Sequence, residues 1–133
     1  MSDIVFNADS KFDIQLSAAL VHERALARLL ADAELKIEVK TETWQWRRTG
    51  NICIEYRNRG KLSGISTTEA THWVHELCDD QGKVRFRILF EVDELKRLCR
   101  EAHRLGRYKL GVGDDGQSDV ILLRLKDIQT WAS

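Results

Sequence analysis

Two segments of this chain, Lys36-Ile37-Glu38-Val39-Lys40 and Ile52-Cys53-Ile54-Glu55-Tyr56-Arg57, alternate polar and apolar residues with a period of two. That period belongs to strands with one face buried. It predicts strands over 35–41 and 51–57, joined by a loop over 42–50. A hairpin centred between Trp46 and Arg47 sets Val39 against Ile54 and Ile37 against Tyr56 on an apolar face. The other face sets Glu38 against Glu55 and Lys36 against Arg57, with Lys40 and Cys53 beside them. Side chains directly opposite have Cβ atoms ~5 Å apart, and like charges there destabilise the pair. A glutamate pair in that position needs a cation between its members.

The remaining elements follow from caps and stripes. A helix is expected over 17–30, capped by Ser17, stapled by Leu16 on Val21, with a stripe through Leu20, Ala27 and Leu30. Glu23 occupies a stripe position, so a carboxylate faces inward. Ser66-Thr67-Thr68-Glu69 fits a capping box and predicts a short helix. Strands are expected over 73–77 and 84–90, joined by the turn Asp79-Asp80-Gln81-Gly82. An amphipathic helix over 93–104 carries Leu95, Leu98, Ala102 and Leu105 and stops at Gly106. A last strand is expected over 119–125. The order αββαββαβ predicts a mixed α/β fold, with a central mixed sheet built on the hairpin and flanked by helices.

Composition narrows the class. The chain has 133 residues, no proline and no low-complexity tract, which predicts a single domain over 1–133. Lys and Arg total 21, as do Asp and Glu, which excludes binding by bulk positive charge. No apolar run is long enough to span a membrane, and the first residues lack the pattern of a signal peptide. Three cysteines at unrelated spacings point to reduced thiols and a cytoplasmic setting.

Glu23, Glu38 and Glu55 beside Lys40 form a set suited to a hard metal. Mg²⁺ (or Mn²⁺) binds a few carboxylate oxygens and keeps several waters. The metal acidifies a bound water and neutralises phosphate charge. A lysine two residues from a ligating glutamate lies on the same strand face and holds or deprotonates the attacking water. The competing reading is a solvated strand face, since exposed strands often alternate Glu and Lys.

Glu23 on a first helix followed by Glu38-Val39-Lys40 resembles the PD-(D/E)XK nuclease superfamily. The stretch Glu38-Val39-Lys40-Thr41-Glu42, then Thr49-Gly50-Asn51-Ile52, Ile54-Glu55, Arg59-Gly60-Lys61 and Ser63-Gly64-Ile65, resembles small nuclease-like proteins of phages and prophages. Thr68-Glu69-Ala70 and Trp73 continue the likeness, and Gly113-Asp114 and Ser118 fit it more loosely. Leu62 stands where that pattern has proline, and Thr71 where it has aspartate. The resemblance implies a restriction-endonuclease-like core and metal-dependent DNA cleavage. Two registers are open. In the first, Glu38 takes the aspartate's place, Glu55 is the second ligand and Lys40 the catalytic lysine. In the second, Asp32 is the aspartate and Glu38-x-Lys40 the motif proper. Asp32 lies too close in sequence to Glu38 for a separate antiparallel strand, which favours the first.

Between 44 and 61 there are five basic residues and one acid. Trp44, Trp46, Arg47, Arg48, Arg57, Arg59 and Lys61, with Ser63 at a turn, suit phosphate contact and base stacking. The alternative is a solvated tip with its tryptophans packed on the domain or on a second subunit. His72, His75 and Cys78 do not make a zinc site, because 72 and 75 point to opposite strand faces. The leading expectation is a metal-dependent DNA endonuclease, acting on branched or junction DNA as a homodimer. Its rival is an inactive DNA-binding or scaffold protein that keeps the nuclease fold.

Overall fold

The computed structural model describes residues 24–31 and 34–130, with residues 129 and 130 as backbone only. Lys36 onward forms one compact unit, and a helix over 24–31 (α1) belongs to a separate unit that ends at Leu35. Glu23, Asp32 and the expected helix start at Ser17 lie outside the described residues.

The larger unit is mixed α/β. Its strands are β1 (Ile37–Glu42), β2 (Asn51–Asn58), β3 (Lys61–Leu62), β4 (His72–Cys78), β5 (Val84–Glu91), β6 (Tyr108–Val112) and β7 (Ser118–Arg124). Its helices are α2 (Gln45–Thr49), α3 (Val92–Arg104) and α4 (Leu125–Thr130). Among the described residues these strands make two sheets rather than the single central sheet expected, in the orders β1-β4-β5 and β3-β2-β7-β6. No described helix is long and apolar enough to cross a membrane.

The expected hairpin does not form. β1 and β2 are strands within a residue or two of the expected bounds, yet β1 pairs in parallel with β4 and β2 pairs antiparallel with β7. Glu38 therefore does not face Glu55 across a ladder. The connection is the first reason. Residues 45–49, expected as loop, form α2, which ends at Gly50 with φ +72° and buries Trp46 instead of turning back. The second reason is burial. Ile52 and Ile54, both fully buried, pair with Leu123 and Ile121 on β7, two more core residues. Each such side chain contributes roughly 1.5–3 kcal/mol when buried, whereas Ile37 and Val39 of β1 are exposed.

α3 packs on β7 and β5. Its Leu95, Leu98, Cys99 and Ala102 are buried at helical spacing, as the stripe predicts, but Leu105 is the C-cap and is 45% exposed. The turn at Asp79 is as expected: its Oδ1 accepts the N–H groups of Gln81 and Lys83, both at 2.9 Å. The expected helix at Ser66 is replaced by a 3-10 turn over Gly64–Ser66, and the Ser66 hydroxyl donates to the Tyr56 carbonyl at 2.8 Å instead of capping a helix. Strands β3 and β6 and helix α4 were not anticipated. α4 is tied down by Asp127, which accepts from Arg107 at 2.7 Å and Arg124 at 2.5 Å.

Candidate functional site

The parallel register sets Glu38 beside Trp73, Lys40 beside His75 and Glu42 beside Leu77. Neighbours in register share a sheet face, so the three charged residues of β1 lie on the face where β4 buries Trp73, His75 and Leu77. β1 is an edge strand of its sheet. Its charged row thus borders the core at a rim open to water.

Each member of the row is held differently. Glu38 accepts the Thr68 hydroxyl at 2.6 Å and pairs with Lys40 at 3.2 Å. Glu42 accepts the backbone N–H of Cys53, on a stretch of β2 whose far edge is paired with β7, and lies 3.1 Å from Nε2 of the buried His75. The indole of Trp73 donates to His75 Nδ1 at 3.2 Å. An indole N–H only donates, so Nδ1 accepts and the network assigns the imidazole proton to Nε2, aimed at Glu42.

Glu55 reaches the same place from β2. A cavity of about 310 Å³ is lined by Lys40, Glu42, Cys53, Glu55, Trp73 and His75. A second cavity of about 510 Å³ shares Glu42, Cys53 and Glu55 and extends to Arg48 and Lys109. Glu55 accepts from the hydroxyls of Ser118 at 2.7 Å and Ser63 at 3.1 Å, and from the Asn58 amide at 3.5 Å. Gly64 lets the 3-10 turn reach this position. A Cβ there would sit 2.2 Å from the Glu55 carbonyl oxygen, and its φ of +53° suits glycine. The thiol of Cys53 is pushed up to about 11, first by burial and then by Glu42, with Lys109 opposing. The residue is nonetheless exposed at the surface, so the shift marks a thiol that stays largely protonated near neutrality.

Of the expected set, Glu55 and Lys40 come together in one cavity, Glu38 joins through its ion pair with Lys40, and Glu23 lies outside the described residues. The carboxylate that shares the cavity with Glu55 is Glu42. Among the described residues no group of three or more His, Cys, Asp or Glu is arranged to hold a metal ion. Sequence reasoning passed over Glu42, His75, Thr68 and Lys109 as site residues. Glu42 was legible, since it continues the same strand parity as Glu38 and Lys40. His75 was weighed only as a zinc ligand, and Lys109 carried no local signal.

The expected nucleic-acid residues divide. Trp44 is 46% exposed with Arg48 over its ring at 5.9 Å. Trp46 is buried, donates to the Cys78 carbonyl at 2.6 Å and meets Phe86 edge-on, which is the packed-down alternative. Arg47 lies over the Trp46 ring at 5.5 Å and is exposed. Arg57 is engaged by Asp119 at 2.6 Å. The Gly111 amide and Arg57 together hold Asp119 below the usual carboxylate range. Arg59 lies 3.7 Å from Asp115, Lys61 is exposed, and Ser63 is committed to Glu55. His72 and His75 lie on opposite faces of β4, as expected.

Comparison of the chain with family models, with curated proteins and with solved structures finds no match.

Proposed function

We propose that this protein is a metal-dependent DNA endonuclease with a restriction-endonuclease-like active site, in which Glu42 and Glu55 are the two metal-binding carboxylates. The observation that carries this reading is the cavity shared by Glu42, Glu55 and Lys40. Mg²⁺ needs only one or two protein carboxylates. The donor set fits that demand, because Glu42 Oε2 makes no hydrogen bond among the described residues and Glu55 is held only by neutral donors. When bound, Mg²⁺ or Mn²⁺ would supply an acidified water and charge neutralisation at phosphate.

The chain's own residues do the rest. His75 and the Cys53 amide orient Glu42. Ser63 and Ser118 orient Glu55. Lys40 places a cation beside the scissile phosphate, and Glu38, anchored by Thr68, sets the position of that cation. Lys109 adds positive charge along the wider cleft. Trp44, Arg47, Arg48 and Lys61 offer exposed groups for stacking and for backbone phosphate. A homodimer presents two such sites to the two strands of a duplex or junction.

A second reading is a DNA-binding or scaffold protein without cleavage. The ion pair that occupies Lys40 favours it. One experiment separates the two. Purified protein is incubated with linear, supercoiled and four-way-junction DNA in Mg²⁺, Mn²⁺ or EDTA. Cleavage that needs the metal and disappears in both Glu42→Gln and Glu55→Gln is the expected result. Undiminished cleavage in either variant, or in EDTA, overturns the assignment. Salt-sensitive binding without cleavage under every metal establishes the second reading. Light scattering on the same sample tests the dimer, and a monomer at high concentration rejects it.

A further inference from the structure

α3 sorts its charges by face. Glu94 pairs with Arg97, and Glu101 pairs with Arg104 at 2.6 Å. Lys96, Arg100 and His103 recur at steps of four and three, which places them along one side of the helix. Among the described residues neither Lys96 nor Arg100 makes an ion pair. That side of α3 borders a pocket of about 320 Å³, with Ile65 and Ile121 as apolar floor and Tyr56 as a wall. His103 stacks on Tyr108 with centroids 4.6 Å apart and planes at 17°, and Tyr56 meets the same imidazole edge-on at 5.9 Å. Tyr56 packs against the core cluster, and this pocket has no lining residue in common with the cavities that Glu55 lines. The pocket is therefore separate from the acidic cavity.

We propose that this pocket binds a nucleoside monophosphate unit, with its phosphate on Lys96 and Arg100 and its base on the Ile65–Ile121 floor beside Tyr56. Two unpaired cations recognise a phosphate. The apolar floor and the aromatic rim recognise a flat, weakly polar ring, since every base has a face that stacks. The volume is that of a small-ligand site. An acidic peptide would satisfy the cations and leave the floor uncovered. The same chemical unit occurs as a free nucleotide and as the end of a DNA strand.

The test titrates the full chain with deoxyadenosine monophosphate, a short 5′-phosphorylated oligothymidylate, inorganic phosphate and a glutamate-rich peptide. Calorimetry reads affinity, and NMR of the isoleucine methyl groups reads the floor. Both nucleotide probes are expected to bind and to shift the Ile65 and Ile121 methyls. Lys96→Ala and Arg100→Ala should each weaken binding about tenfold, the loss of one charge-assisted contact. Both are surface changes that leave the core intact, and Arg97→Ala on the paired side should change affinity less than twofold. Tighter binding of the oligonucleotide identifies a strand end, and tighter binding of the mononucleotide identifies a free ligand; either supports the proposal. Binding of phosphate or the peptide as tight as that of the nucleotides overturns it. So do unshifted isoleucine methyls, or full affinity in the Lys96→Ala/Arg100→Ala double variant.

Discussion

Oε1 of Glu42, on β1, lies 3.1 Å from Nε2 of His75, on β4, and the same imidazole receives the Trp73 indole N–H at 3.2 Å on its other nitrogen. His75 is 2% exposed. A buried side chain with a partner on each ring nitrogen fixes the rotamer of both partners. Glu42 is thereby held at the rim of the cavity it shares with Glu55. His75→Ala removes a buried ring and strips Trp73 of its acceptor, a loss of about 2–4 kcal/mol. Urea denaturation should show a clear fall in midpoint, with His75→Gln recovering part of it. An unchanged midpoint in His75→Ala would mean that the chain of bonds has no structural weight.

Gly64 and Gly60 make a matched pair for a second prediction. Both have positive φ, but only at Gly64 does an added Cβ collide, at 2.2 Å from the Glu55 carbonyl oxygen. Gly60→Ala should cost about 1 kcal/mol, the strain of a left-handed backbone. Gly64→Ala should cost at least about 2 kcal/mol more, because the turn must also move off β2. The displaced turn carries Ser63 away from Glu55, so any metal-dependent cleavage should fall in Gly64→Ala and persist in Gly60→Ala. Equal stability of the two variants would contradict the close approach.

The two tryptophans of the first connection should separate in their effects. Trp46→Phe keeps much of the apolar volume but leaves the Cys78 carbonyl without its indole donor, at a cost of about 1–3 kcal/mol. Trp44→Ala should alter stability by less than about 0.5 kcal/mol, as surface changes do. DNA affinity, measured by fluorescence anisotropy, should weaken in Trp44→Ala. Affinity that drops only in Trp46→Phe would exclude Trp44 as a contact.

Thiol chemistry gives a pH prediction. Burial pushes Cys53 up to about 11 and Cys99 up to about 12 from an ordinary value of 9.0. Cys53 is exposed, so reagent reaches it, and at neutral pH it should alkylate about tenfold more slowly than a free thiol, because the fall in thiolate fraction outweighs the greater nucleophilicity of the more basic thiolate. Below about pH 9 both folded and unfolded thiols are protonated, so their contribution to stability is constant. Above it the unfolded chain ionises first, and stability falls as pH rises through the folded values. Iodoacetamide mapping by peptide mass spectrometry reads the first effect, and thermal melts between about pH 8 and 11 read the second. Rapid labelling of Cys53 in native protein at neutral pH would refute the assignment.

Much of the secondary structure was legible from short stretches of chain. The alternation through Ile37, Val39, Ile52 and Ile54 located β1 and β2, and the stripe through Leu95, Leu98 and Ala102 located α3. Both are properties of consecutive residues, set by the periods of strand and helix. Ser66-Thr67-Thr68-Glu69 misled because its hydroxyls found partners elsewhere. Ser66 bonds the Tyr56 carbonyl and Thr68 bonds Glu38. β6 was missed because Lys109 and Leu110 are exposed and the strand carries little apolar pattern.

The sequence by itself determined which residues of β1 share a face, and so that Glu38, Lys40 and Glu42 stand in one row, because alternation is a local consequence of backbone geometry. It also determined that Glu55 faces away from Ile54. Only the tertiary structure decided which strands lie side by side. Pairing depends on how much apolar surface the whole chain buries: Ile52 and Ile54 lie beside the buried Ile121 and Leu123 of β7, whereas Val39, the neighbour a hairpin would give Ile54, stays exposed. With β1 moved to β4, the end of its charged row, not its start, meets β2. Glu42 rather than Glu38 then stands with Glu55, and a histidine more than thirty residues along the chain holds it there.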